Sequence, residues 1–265
     1  PNMVPGGLSV GVPGTVAMLY AVHQKHGRLP WARLFDDAIL LARHGFGVSP
    51  RLSALLSALG PAAFSPQARD YFFGDDEAGP LLGEVRRNPD YAETLERISI
   101  EGPDAFYRGE IAADMAAAVR AAWRNPGDMT VADIAGYSPV ERPAVCAPYR
   151  VYWICGMGPP SSGGIAVAMT LAMIERFELG EAPTPEALHL IGEAENLAFA
   201  DRDRYVADPD FFAVPDGLLD ADYLAGRSRL IDPASTGGVR EPGTPPGADE
   251  APTVDGTREA PGTSQ

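Results

Sequence analysis

The run Gly262-Thr263-Ser264-Gln265 follows a long polar tail and gains chemistry only if the chain is cut before Thr263. A hydroxyl is a weak nucleophile and needs a base. If the Gly262–Thr263 bond were cut, Thr263 would gain a free α-amine, which titrates at about pH 8, roughly two units below a lysine. One residue would then supply nucleophile and base at a fixed distance. Gly262 suits such a cut, because glycine tolerates the strained backbone that an N-to-O acyl shift requires. Without a cut, serine, threonine and glycine are ordinary residues of a polar tail.

The second unusual run is Gly158-Pro159-Pro160-Ser161-Ser162-Gly163-Gly164. Two prolines stiffen it, two serines stand where they could cap a helix, and two glycines allow close packing. A helix N-terminus of this kind can hold an anion or an oxyanion. Cap residues are common at helix starts, however, so the spacing favours a capped strand-to-helix turn. The run lacks the spacing of a nucleophile elbow, and the chain holds no phosphate loop ending in Gly-Lys-Ser/Thr.

Other clusters read as structural. A calcium loop starting at Asp201 would need glycine and glutamate where Val206 and Phe212 stand, so the charges of 201–210 are expected to pair along a helix end closed by Asp208-Pro209. His23 and His26 sit three apart with no third ligand nearby, and His44 before Gly45 suits the negative end of a helix. No metal or organic cofactor is implied.

The elements that must carry these residues are mainly helical. Apolar spacing predicts helices from about Pro13 to Gly27 and over 31–45, 50–59, 91–99 and 111–123. Thr130 and Asp133 resemble a capping box, with a short helix to Gly136. Residues 61–90 read as an irregular surface excursion. Strands are expected over 137–147 and 150–157, then helices over 165–177, 185–206 and 222–231. In the long helix, Leu188, Ile191, Ala194, Glu195 and Ala198 are expected on one side. Residues 233–262 are Pro, Gly, Thr, Ala, Asp and Glu with almost no large apolar side chain, which predicts a flexible linker.

Charge and cysteines set outer limits. The formal net charge of -15 argues against nucleic acid, which needs clustered Lys and Arg. No run approaches the roughly 18 apolar residues of a membrane span. A hairpin turning at Pro148-Tyr149 would set Cys146 opposite Val151 and leave Cys155 too far along its strand. Two free thiols are the expectation.

In order along the chain, several stretches resemble γ-glutamyltranspeptidases. They are Ser9 to Ala17 (SVGVPGTVA), Gly27-Arg28-Leu29-Pro30-Trp31, Ala38 to Pro50, Gly102-Pro103-Asp104-Ala105-Phe106-Tyr107-Arg108-Gly109, Tyr149-Arg150, the 158–164 run, Glu193-Ala194-Glu195, and Ala200-Asp201-Arg202 running to Asp208-Pro209-Asp210-Phe211. The collinearity covers the chain to about residue 232.

The resemblance implies an α+β fold, the N-terminal nucleophile hydrolase αββα sandwich, of which this chain is the mostly helical large-subunit portion. It implies residues 1–232 as the large-subunit segment, 233–262 as the linker and 263–265 as the start of a small subunit. It also implies self-cleavage before Thr263 and attack of Thr263 on γ-glutamyl amides such as glutathione. The acyl-enzyme would then pass to water or to an amino acid or dipeptide acceptor. The implied partner is the chain's own small subunit, and the implied compartment is periplasmic or extracellular. The family commonly has histidine two places after the nucleophile, where this chain has Gln265. By the resemblance, the arginine that holds the substrate α-carboxylate lies upstream of Pro1 and most other substrate contacts lie beyond Gln265, so the isolated segment is expected to be inactive. Two alternatives stay open, a cephalosporin or glutaryl acylase of the same superfamily and a non-catalytic remnant.

Overall fold

In the computed structural model, residues 6–74, 79, 82–180 and 183–248 are described. Contacts divide the chain into two compact units, Pro1–Val140 and Glu141–Gln265.

The first unit holds α1 (Thr15–His26), α2 (Asp36–His44), β1 (Phe46–Gly47), α3 (Pro50–Leu59), α4 (Pro66–Phe72), β2 (Val85–Arg86), α5 (Pro89–Glu101), α6 (Asp104–Tyr107), α7 (Glu110–Arg120) and α8 (Val131–Ala135). Helices α3, α4 and α5 start alike. Ser49, Ser65 and Asn88 each accept a backbone N–H of the first turn, at 3.2, 3.3 and 2.9 Å, and a proline follows each. The cap satisfies an orphan donor, and proline has no N–H to leave orphaned. The capping box of Thr130 and Asp133 is present at α8. A small core forms from Tyr107, Ala112, Ala116, Val119, Met129 and Ile134. The Tyr107 hydroxyl donates to Pro13 O at 2.6 Å and accepts from Ala17 N at 3.1 Å, so it holds the start of α1.

Two expectations change here. The single helix over 31–45 is a 3-10 turn, Trp31–Phe35, followed by α2. Trp31 sets the break, donating to Ile98 O at 3.1 Å and packing edge-on against Tyr20 and Phe35. The stretch 61–90 is not wholly irregular. It contains α4, and β2 pairs antiparallel with β1.

The second unit holds β3 (Val145–Tyr149), β4 (Tyr152–Gly156), α9 (Gly163–Ile174), α10 (Pro185–Tyr205) and α11 (Ala221–Ser228). Helix α9 reads GGIAVAMTLAMI and is buried over most of its turn, at Ile165, Ala166, Ala168, Met169, Thr170, Met173 and Ile174. It packs on α10 and α11, and Leu190, Ala194, Leu197, Ala198, Leu224 and Ile231 complete the core. The inward face of α10 therefore runs through Ala187, Leu190, Ala194, Leu197, Ala198, Asp201 and Tyr205. The expected face is rotated from it, and Leu188 and Glu195 are exposed.

The hairpin corrects the cysteine expectation. Its two-residue turn is Arg150-Val151, with Arg150 at φ 53° and its N–H donating to Glu175 Oε1 at 2.8 Å. Moving the turn two residues along from Pro148-Tyr149 changes every pairing. Cys146 now faces Cys155, and the two form a disulfide. Both lie on the outer face of the hairpin with Pro148 and Trp153, the latter 73% exposed. The first strand is also shorter than expected. It begins at Val145, after Pro143, which cannot donate to a ladder.

Candidate functional site

Gly262 and Thr263 lie outside the described residues. The structure does describe the segment that leads towards them and the surfaces that hold it.

The 158–164 run joins β4 to α9. Ser162 stands at the N-cap with φ −91° and ψ −15° and makes no side-chain cap, so the expected capping is absent. The glycines act by size. A Cβ on Gly156 would lie 2.6 Å from Gly164 Cα, and one on Gly164 would lie 2.5 Å from Met157 O. The first turn of α9 rests on the end of β4 with no side chain between them. That close approach is the work of the run.

The segment 233–248, expected as the start of a flexible linker, is instead fastened to α10 and α11. Apolar burial contributes at Pro245 and Ala248, and polar contacts hold the rest. Two carboxylates on α10 do it. Glu193, 3% exposed, accepts Thr236 Oγ1 at 2.8 Å, Gly237 N at 3.1 Å and the guanidinium of Arg240. Burial pushes the Glu193 carboxyl up, but Arg240, Thr236 and Gly237 together outweigh it and leave the group below its ordinary range.

Asp201, fully buried, is the second anchor. It takes two bonds from Arg227, Nη2 at 2.9 Å and Nε at 3.1 Å, with Tyr223 Oη at 2.7 Å and Gly243 N at 2.6 Å. Arg227 Nη2 also donates to Leu197 O and Glu241 O, at 3.2 and 3.0 Å. The Tyr205 hydroxyl closes the set on Gly243 O at 2.7 Å. Burial first, then the hydrogen bond to Asp201 and its charge, push the Tyr223 phenol far above its usual value. Pro245 is fully buried, and Gly217 fits under Pro246 where a side chain would not.

Asp201 was expected to pair within its own helix end. Arg202 and Asp203 do pair at 2.6 Å, and Arg142 takes Asp208 and Asp210 at 3.7 and 2.8 Å, but Asp201 points into the core. Sequence reading missed Glu193, Arg227 and Arg240 as a set. The available signal was a carboxylate standing on the apolar stripe of α10, at helical spacing from Ala194, Leu197 and Ala198. Among the described residues, no group of three or more His, Cys, Asp or Glu could hold a metal ion, and no helix is long and apolar enough to cross a membrane.

With this geometry in place, comparison with known proteins is decisive. A model of the γ-glutamyltranspeptidase family matches residues 1–265. The chain belongs to the γ-glutamyltranspeptidase family. It is similar to the glutathione hydrolase proenzymes of Escherichia coli, 36% identical over 85% of this chain and 39% of that protein, and of Pseudomonas aeruginosa, 36% over 87% and 41%. It is also similar to the Acylase ACY 1 proenzyme of a Pseudomonas species, 35% over 86% and 41%. The chain thus spans about two fifths of the length of these relatives.

Among solved structures, the Helicobacter pylori γ-glutamyltranspeptidase matches with a TM-score of 0.82 and 31% identity, covering 91% of this chain and 70% of that one. A cephalosporin acylase from Bacillus halodurans matches with a TM-score of 0.73 and 28% identity, covering 84% and 43%. These neighbours are N-terminal nucleophile hydrolases, and the chain is a mostly helical portion of their α+β fold.

Proposed function

We propose that the chain is the large-subunit part of a self-processing γ-glutamyl hydrolase and transferase. The precursor cuts itself between Gly262 and Thr263. The freed α-amine of Thr263 takes the proton from its own hydroxyl, and the oxygen attacks the γ-glutamyl carbonyl. The amine half of the substrate, as from glutathione, leaves with a proton. Water or the amine of an amino acid or dipeptide then takes the acyl group and restores the threonine. The partner is the small subunit released by the same cut. The one observation that carries the reading is the family match through the whole chain to Gln265, joined to relatives that are named proenzymes.

An oxidising compartment, periplasmic or extracellular, fits the Cys146–Cys155 disulfide. The test of the reading is the intact mass of the full-length precursor held at neutral pH. Two fragments that divide between Gly262 and Thr263 are expected. A single unbroken chain would sink the mechanism.

A second reading keeps the nucleophile and changes the acyl group to a cephalosporin side chain. It rests on the Acylase ACY 1 proenzyme being as similar, at 35%, as the glutathione hydrolases. Parallel rates on a γ-glutamyl amide and a glutaryl amide separate the two.

A further inference from the structure

The seven residues from Gly237 to Gly243 are held at both ends by charge. Glu193 and Asp201 stand eight positions apart on α10, about 12 Å along its axis at 1.5 Å per residue. Each binds one backbone N–H of the segment, Gly237 N and Gly243 N, at 3.1 and 2.6 Å. Arginines complete both carboxylates, Arg240 at Glu193 and Arg227 at Asp201. Burying two ion pairs carries a desolvation cost that apolar packing would avoid. What the pairs supply is register. A hydrogen bond to one named N–H fixes which residue lies where, and apolar contact tolerates sliding.

We propose that Glu193 and Asp201 are positioning residues for the cut between Gly262 and Thr263. Together they fix the point from which the chain departs towards the scissile bond. The proposal rests on the self-cleavage reading above. Intramolecular attack gains its rate from restricted approach, and every residue released upstream dilutes it. With the clamp closed, the described chain is held as far as Pro245 and Ala248. With both anchors open it is held only to about Ile231, and the sequence separation from a held residue to Gly262 roughly doubles. Loop-closure entropy turns a doubling into about a threefold loss of rate. Loss of direction at the departure point adds to that.

The experiment follows cleavage of the full-length precursor by intact mass at 25 °C, where circular dichroism shows every variant fully folded. Arg240→Met removes the segment's own charge. Arg240→Lys keeps it, and Glu193→Gln keeps the shape of the carboxylate. Hydrogen exchange at the Gly237 and Gly243 amides reports whether the clamp has opened. Glu193→Gln combined with Asp201→Asn opens both anchors, and the expected result in that double variant is faster exchange at both amides and cleavage slowed about threefold or more. Arg240→Met and Glu193→Gln alone, which open one end, are expected to speed exchange at Gly237 and to slow cleavage less, with Arg240→Lys recovering most of the rate. A purely structural role would lower the melting temperature without changing the rate per folded molecule. Faster exchange with wild-type cleavage overturns this proposal alone. A wild-type precursor that stays whole overturns the self-cleavage reading and this proposal with it.

Discussion

Asp201 and Arg227, 26 residues apart, meet through two hydrogen bonds at 2.9 and 3.1 Å in a place that water does not reach. An aspartate with no exposed surface must be paired or neutral. Here the fork of the guanidinium pairs it, and Tyr223 and Gly243 fill its remaining acceptor positions. Removing one partner would strand the other. Asp201→Ala is expected to destabilise the protein by about 3–5 kcal/mol. Urea unfolding of the full-length protein checks this, and a loss below about 1 kcal/mol would mean that the pair behaves as if at the surface.

Glu193 predicts a pH dependence. Its carboxyl titrates below the ordinary value, so the folded state favours the charged form more than the unfolded state does. Its contribution to stability is complete above the ordinary glutamate range and is lost as pH falls through that range towards the folded value. Unfolding free energy should therefore decline from about pH 5 downwards, and the decline should be shallower in Glu193→Gln. Identical slopes in the two proteins would refute the assignment.

The disulfide makes a covalent prediction. Cys146 and Cys155 close a loop with a sequence separation of nine, and Cys146→Ser should cost about 2–3 kcal/mol on chain-entropy grounds. Thiol titration of the unfolded, unreduced protein should find neither of these cysteines free. Two reactive thiols would restore the expectation read from the sequence.

Gly164 tests the contact between β4 and α9. Alanine there would set its Cβ against Met157 O and the backbone of Gly156, none of which can move as a side chain would. Gly164→Ala is expected to cost about 1–3 kcal/mol and to lower the melting temperature. Gly163→Ala has open space around its Cβ and serves as the control.

Helix positions were legible because their signals are local. Ser49-Pro50, Ser65-Pro66 and Asn88-Pro89 each write a cap and a first turn in two adjacent residues, although the last two lay inside a stretch read as irregular. The hairpin was legible as a pair of strands but not in register, because Arg150, a poor candidate for a left-handed turn, is held there by Glu175 from α9. No local rule contains that contact. Residues 233–248 were misread for the same reason. Their composition leaves little apolar surface to bury beyond Pro245 and Ala248, and the carboxylates that hold the rest come from 43 and 42 residues upstream. The proposed nucleophile was found from the chemistry of four residues and a family likeness. The clamp exists only in the folded chain, where α10 meets residues 236–243.

The spacing of Glu193 and Asp201 also works as a ruler. Helix α10 sets a fixed span between its two carboxylates, and the chain from Gly237 to Gly243 has to match it. The six steps from Gly237 to Gly243 can stretch to about 20 Å at most, so the span leaves slack for a bend but none for a frame shift. An added or lost residue inside that interval would move one glycine N–H off its carboxylate, and the same change beyond Ala248 would leave both in place. Related chains should therefore vary in length after this interval and keep it constant within.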